Sequence, residues 1–452
     1  MRCLGGINST ALLSHIQQHP LAQKMGLKMA IISKDSVYVC PQIYFACIHE
    51  HIKDQRLMSD AVPAQIEQWS KIETGIEVTK VNGDANSLEM SNGKTFNYKS
   101  LVLAPGFDHS MEPIEGLTEL ADGDEANHVF AHILDKKERV SQNYYSGWQN
   151  LNGDTICYSP KFPYKGEGTD FYAAYYEHFQ RLDTLNGRAA ANARIQYWTP
   201  NKEIYKFGYA NEVALDECHK RGIEVMFGWE MMKVQKLDNG QKIATFKNVD
   251  SGEVIEKDFH QANINPPSKT HQWIKDSDLA DSEGLLDVNK YTLQHKKYDN
   301  IFGFGDAVGF ETTRTQGAAA AQNPIVKNNV LQFLQGNEIN GVYDGYTFMP
   351  FLLGNRYASS FQHKHDFEPA AKNHMIPNYG IFSRVYFDWM MNSQKGMDNS
   401  YSGFNKNHGP PHGHWPASYD ELEHNDYLKS KNIDPADLVN PKYAARLAAK
   451  EA

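Results

Sequence analysis

The chain has 452 residues, a formal net charge of −10 (45 Lys and Arg against 55 Asp and Glu) and 41% hydrophobic residues. That length suggests two or three domains with a core that needs no disulfide staples, and the composition excludes a disordered chain. The acidic balance argues against a nucleic-acid backbone as main partner, and no apolar run reaches the ~18 residues that a membrane-spanning helix needs.

Leu4-Gly5-Gly6 follows a very short first strand, Met1 to Leu4, and precedes a helical pattern of Ala11, Leu12, His15 and Ile16. Lys28 to Ile32 then reads as a buried strand, so the chain opens as strand, turn, helix, strand, in the manner of a dinucleotide fold. With only four residues in that first strand, another chain is expected to cover the sheet edge. Ile76 to Val81 and Ser87 to Met90 alternate as strands, and Asn92-Gly93 marks a hairpin turn. Leu101 to Ala104 is a short buried strand that ends at Pro105-Gly106.

The pattern then restarts. Asn192 to Trp198 reads as a strand, Asn211 to Arg221 as a helix, and Gly222 to Val225 as the next strand. Ile243 to Phe246 and Val254 to Phe259 form a hairpin-like pair, and Asn300 to Phe304 is a strand leading into Gly305-Asp306. Ala318 to Leu334 is a long helix. The alternation gives an α/β class with two dinucleotide-type halves. The first spans residues 1–110 with 285–340, and the second spans 111–284. Residues 341–395 read as an apolar helical region in which Tyr379 to Met391 is long enough to lie in a membrane interface or against a partner. Residues 396–452 form a polar extension that either wraps on something or hangs free.

Glycines serve a nucleotide turn by allowing the tight bend, the approach of backbone to pyrophosphate, and close helix packing. Here only Gly5 fits the frame, with Ile7 and Thr10 at the other two places and Ser33 where a ribose-binding carboxylate belongs. Asp306, at a strand end ahead of a helix, is either a flavin ribityl contact or a helix-capping aspartate. His408, His412 and His414 are the densest histidine cluster, with no neighbouring Cys or carboxylate to complete a metal site, so no metal is expected. The five cysteines (Cys3, Cys40, Cys47, Cys157, Cys218) are scattered, without a C-x-x-C, which argues against a disulfide framework or a cysteine zinc site. The start, Met1-Arg2-Cys3-Leu4, reads as neither a signal nor a transit peptide.

Gly284 to Tyr298, Asn300 to Asp306, Ala320-Ala321-Gln322, Asn265-Pro266-Pro267 and Tyr343-Asp344-Gly345-Tyr346-Thr347 closely resemble mitochondrial sulfide:quinone oxidoreductase. The likeness runs in order from Leu4 to about Met391. It implies a flavoprotein with two Rossmann-like domains, of the disulfide-reductase type, peripheral to the mitochondrial inner membrane. In that family FAD passes electrons from sulfide to ubiquinone, and two cysteines carry the sulfur. The position matching the first cysteine is Tyr164, counting back from the helix at Phe171 to Phe179, and the second is Met349, bracketed by the Tyr343 to Thr347 motif and Pro350. A phenol and a thioether cannot exchange disulfides. Cys157, Cys40 and Cys47 read as small buried residues rather than relocated thiols.

The resemblance therefore points to a pseudoenzyme, an accessory subunit of a membrane assembly such as a respiratory complex, with no catalytic residue and no cofactor expected. The alternative is an FAD-dependent quinone oxidoreductase with another donor or relocated thiols, in which Gly5, Gly6, Ala104, Gly106 and Asp306 would hold FAD. A third reading is a module that keeps a nucleotide without turnover.

Overall fold

The computed structural model describes residues 1–5, 9, 12–13, 16, 19–34, 38–39, 59–60, 70–122, 127–131, 153–168, 170–171, 173–175, 177–178, 194–352, 358–370, 375–376 and 427–451. From the N-terminus, β1 (Arg2–Gly5), β2 (Met29–Ser33) and β3 (Ser70–Thr74) precede a meander of β4 (Val78–Asn82), β5 (Ser87–Met90) and β6 (Thr95–Asn97), and then β7 (Leu101–Ala104). Next come β8 (Val129–Ala131), β9 (Thr155–Tyr158), β10 (Ile195–Thr199), helix α1 (Gly208–Arg221) and β11 (Ile223–Phe227). A second meander, β12 (Trp229–Lys236), β13 (Lys242–Asn248) and β14 (Val254–Phe259), leads to β15 (Gln261–Ile264), β16 (Ile301–Gly303) and the long helix α2 (Gln316–Gln335). The chain continues through β17 (Thr347–Leu352), β18 (Ala358–His363), β19 (Met375–Ile376) and helix α3 (Pro441–Glu451).

The first sheet is parallel throughout, in the order β16-β7-β1-β2-β3. Strands β2 and β7 read as continuous apolar runs because both faces are covered. Leu101, Leu103 and Ile32 pack with Val81, Leu88 and Met90 of the first meander. Val102, Ala104 and Ile31 pack on the other side with Leu12, Leu13, Ile16 and with Ile325 and Val326 of α2. The expected open edge at the first strand is overturned: β1 lies third of five, paired to β2 and β7, so no second chain is needed there. Gly5 is also the last residue of that strand, opposite Ala104, rather than part of the turn.

The second sheet repeats the plan as β8-β15-β9-β10-β11, again parallel. Ala210, Ala214 and Cys218 of α1 cover the face carrying Cys157 and Tyr197. Met231, Val234, Ala244 and Phe246 of the second meander cover the face of Ile156, Tyr158 and Trp198. Helix α1 ends at Gly222, whose φ of 64° is the left-handed cap that glycine adopts at no steric cost. β12 was not legible because a bulge between Met231 and Lys233 breaks its alternation, leaving the buried Met231 and Val234 three residues apart.

In residues 341–395 the described part is mainly strand, with β17, β18 and β19 in an antiparallel sheet and one 3-10 turn at His365–Phe367. Pairing explains the difference from the helical expectation, since the backbone of Thr347–Leu352 finds an antiparallel partner in β18, in register from Thr347 opposite His363 to Leu352 opposite Ala358. Tyr379 to Met391 and the histidines 408, 412 and 414 lie outside the described residues. The end of the extension wraps back on the first sheet. Asn440 donates to the carbonyls of His295 and Lys296, both at 2.9 Å, and Tyr443 packs on Phe333 of α2 at 5.1 Å. Among the described residues no helix is long and apolar enough to cross a membrane.

Candidate functional site

In an open parallel sheet, ligands bind beyond the carboxyl ends of the strands where the strand order reverses. In the first sheet that point lies between β1 and β7, since β2 extends the sheet to one side of β1 and β7 to the other. The register brings Gly5 opposite Ala104, and Gly303 opposite Leu103, so three adjacent strands end level. Gly106 and Gly305 follow immediately, with φ of +70° and +82°, and a Cβ at either would meet nothing within 4 Å. The backbone there borders open space. The Gly305 amide donates to Gln322 Oε1 of α2 at 2.7 Å, which fixes the turn that presents Asp306.

Asp306 is not the cap of α2. That role belongs to Thr315, whose hydroxyl accepts from the Ala318 amide at 3.2 Å. Burial raises the Asp306 carboxyl above its usual range, against the opposing pull of Lys165 and Arg314. Gly5, Ala104, Gly106 and Asp306 are thus brought together, whereas Gly6 and Ile7 lie outside the described residues. Ser33 is buried at the end of β2, and the next residue, Lys34, pairs with Glu77 at 3.0 Å. The strand-end position itself offers the hydroxyl of Ser33 rather than a carboxylate.

The second sheet has its own switch point, between β9 and β15, and its loop fills it. Tyr164 is fully buried, stacks on Phe162 at 5.3 Å, and accepts the Gly168 amide at 3.1 Å. Ser159 donates to Asp170 Oδ2 at 3.0 Å, which leaves Tyr197 as donor to Ser159 at 2.6 Å. Asn265 donates to the same Asp170 oxygen and to the Lys165 carbonyl, at 3.2 and 3.3 Å. Burial, with Asp170 adding to it, pushes the Tyr164 phenol far above its ordinary value, so it stays neutral.

The two regions meet at one segment. The Gly166 amide donates to the Arg314 carbonyl at 3.1 Å, and Thr347, the first residue of β17, bonds Thr313 at 3.3 Å and Thr315 at 3.0 Å. Tyr164 and Met349 therefore sit on two segments that anchor to the same stretch, 313–315. At its centre is Arg314, 4% exposed, with its guanidinium 5.8 Å from the Phe107 ring. Glu167, 3% exposed, faces Lys206 at 3.4 Å. Burial raises the Glu167 carboxyl, and Lys206 and Arg314 oppose that shift.

Arg314, Glu167 and Lys206 escaped sequence reasoning. No spacing rule flags them, because their burial is created by the loop of the second sheet closing on the first. Cys157 and Cys218 are both buried in one apolar cluster. Burial pushes the Cys218 thiol up to about 12, away from the thiolate that sulfur chemistry requires.

The chain is 26% identical over 308 residues to the mitochondrial sulfide:quinone oxidoreductase of Schizosaccharomyces pombe, which covers 67% of this chain and 63% of that protein. It is 27% identical over 279 residues to the Mus musculus protein of the same name, over 61% of this chain and 59% of that one. The chain resembles the sulfide:quinone oxidoreductases. It spans less than two thirds of the length of these curated relatives. No protein-family model matches it.

The fold likeness extends further than the sequence likeness. The sulfide:quinone oxidoreductase of Aquifex aeolicus superposes with a TM-score of 0.66 at 14% identity, over 88% of this chain and 92% of that one. A chain in a cryo-EM structure of the Tetrahymena thermophila mitochondrial ATP synthase F1Fo tetramer gives 0.77 at 24% identity, over 89% and 95%. The two-sheet flavoprotein fold expected from the resemblance is the fold observed.

Proposed function

We propose that this chain is a sulfide:quinone oxidoreductase relative that has lost the sulfur chemistry and serves as an accessory subunit of a mitochondrial inner-membrane complex. The observation that carries this reading is Tyr164. At the position matched to the first redox cysteine stands a fully buried phenol, hydrogen-bonded to its own loop. Met349 occupies the matched second position on β17. Disulfide exchange is attack of a thiolate on a disulfide sulfur, so it needs a cysteine sulfur at both places. The likeness to a chain of the Tetrahymena thermophila ATP synthase structure supports membership in an assembly and makes ATP synthase the first complex to test. Tyr379 to Met391 would supply the membrane or partner contact, at the periphery of the inner membrane.

The test is co-migration of the tagged protein with a large complex on native gels after mild solubilisation, together with a sulfide-dependent quinone reduction assay. The reading expects co-migration and no sulfide turnover. Sulfide-driven quinone reduction, or recovery only as a free monomer, overturns it.

A second reading, an FAD-dependent quinone oxidoreductase with a different donor, draws on the open backbone at Gly106 and Gly305 beside Asp306. These features fit part of a flavin nucleotide, while Ser33 and Lys34 fail to supply the ribose carboxylate. Donor-dependent reduction of a quinone analogue by the purified assembly would favour it over the first.

A further inference from the structure

At the amino edge of the second sheet, two lysines converge on one asparagine. Lys236 ends β12 and Lys242 begins β13, and the register places them directly opposite each other. Like charges that face across an antiparallel pair repel. Lys242 is nonetheless only 7% exposed, and burial, with Lys236 adding to it, holds its amine down at about 8. Lys242 Nζ donates to the Asn127 carbonyl at 2.6 Å, and Lys236 Nζ donates to Asn127 Oδ1 at 3.0 Å. Lys242 also donates to the His260 carbonyl. Among the described residues no carboxylate pairs with either ammonium. Each ammonium carries three N–H groups, so these bonds leave donors and two positive charges at one place.

The surroundings are rigidly built. Asn127 and His128 immediately precede β8, and His260 immediately precedes its neighbour β15. The His128 and His260 rings stack with centroids 5.4 Å apart. The Ala262 amide donates to the His128 carbonyl at 2.9 Å, and the His260 amide donates to the Asp154 carbonyl at 2.8 Å. His260 packs so closely on Gly153 that a Cβ there would stand 2.5 Å from the His260 Cβ. His128 has a φ of 51°, a left-handed conformation that a side-chain-bearing residue adopts at a cost and keeps where its surroundings fix it. The Phe259 ring closes one side, 5.6 Å from the Lys242 amine. Asp154, the carboxylate just before β9, is held by Arg194 at 2.5 Å.

We propose that Lys236 and Lys242 bind a small oxyanion of the phosphate class at the amino edge of the second sheet, beside the turn at Asn127. A buried ammonium calls for a partner of opposite charge. Two ammonium groups with N–H donors to spare match an anion that carries up to two charges and several acceptor oxygens, and lysine binds phosphate as a point charge. The low exposure of Lys242 favours a free ion or a bare phosphate ester over an acidic chain segment. Occupancy fastens the second meander to the strands it covers, through β12 and β13 on one side and Asn127 on the other. The site lies at the opposite end of the second sheet from the Tyr164 loop, which follows the carboxyl end of β9. It goes beyond the accessory-subunit reading and does not rest on it.

The test is hydrogen exchange of the full chain, read by mass spectrometry, in inorganic phosphate against sodium chloride at matched ionic strength. Phosphate is expected to slow exchange saturably in 127–131, 236–243 and 259–264, and to raise the denaturant midpoint. Lys242→Met and Lys236→Met are each expected to weaken the apparent affinity about tenfold or more. Lys247→Met, at an exposed position of β13, is the control and leaves it unchanged. Lys236 is exposed, so Lys236→Met decides the matter if Lys242→Met does not fold. Glycerol phosphate is titrated in parallel: protection by it as well assigns the site to phosphate esters, and protection by inorganic phosphate alone assigns it to the free ion. Equal protection by chloride, no protection at millimolar phosphate, or unchanged affinity in Lys236→Met overturns the proposal. Binding that emerges only after Asp124→Asn with Glu125→Gln also overturns it, because the chain then neutralises its own lysines. None of these outcomes bears on sulfide turnover or on residence in a membrane complex.

Discussion

The amide of Gly166 donates to the carbonyl of Arg314 at 3.1 Å. This bond ties the loop after β9, in the second sheet, to the segment that leads into α2 beside the first sheet. It turns a loop that could border a nucleotide crevice into a closed wall carrying Tyr164, Lys165 and Glu167.

Closure of that loop is testable at Tyr164. Tyr164→Phe keeps the stack on Phe162 but leaves the buried Gly168 amide without its acceptor, at an expected cost of about 1–3 kcal/mol. Tyr164→Ala also leaves a cavity and is expected to cost about 3–5 kcal/mol. Denaturant midpoints of the two variants check the order; equal stability of Tyr164→Phe and the unaltered chain would contradict the closed loop.

Stability is expected to fall on acidification. His363 and His365 are buried, and burial holds both imidazoles down at about 4 against 6.5 for an exposed histidine. His363 Nδ1 donates to the Lys364 carbonyl at 2.8 Å, and its Nε2 lies 3.3 Å from the Thr313 hydroxyl. The unfolded chain therefore binds more protons between those two values. Stability is full above pH 6.5 and declines as pH falls to about 4, by on the order of 3 kcal/mol per histidine. His363→Gln should flatten the profile in urea unfolding; an unchanged slope would show that His363 titrates normally.

The wrapped tail hangs on Asn440, whose amide group serves the carbonyls of His295 and Lys296 and whose backbone N–H donates to Gln294 Oε1 at 3.3 Å. Asn440→Ala leaves buried carbonyls unpaired and is expected to cost about 1–3 kcal/mol of docking. Faster proteolysis within 427–451, with the sheets intact, is the expected readout.

Native-state thiol labelling followed by mass spectrometry should leave Cys157 and Cys218 unmodified until the chain unfolds. Both are buried, and the Cys218 thiol is held protonated. Rapid labelling of either would restore the relocated-thiol reading.

The sequence by itself determined the local elements of this protein. Leu101 to Ala104 announced a buried strand, and Asn211 to Arg221 and Ala318 to Leu334 helices, because side-chain periodicity is a local property, whereas Gly222, read as the start of a strand, is the left-handed cap of α1. It also placed Asp306 and Gly106 at strand ends, where residue types alone mark a nucleotide turn. Only the tertiary structure decided that β1 is interior, since strand order comes from long-range pairing. The strand at Thr347 to Leu352 likewise depended on its partner β18. The burial of Arg314 and Glu167 was decided last of all: neither residue has an apolar pattern around it, and their low exposure arises where the loop after β9 and the segment before α2 close on each other.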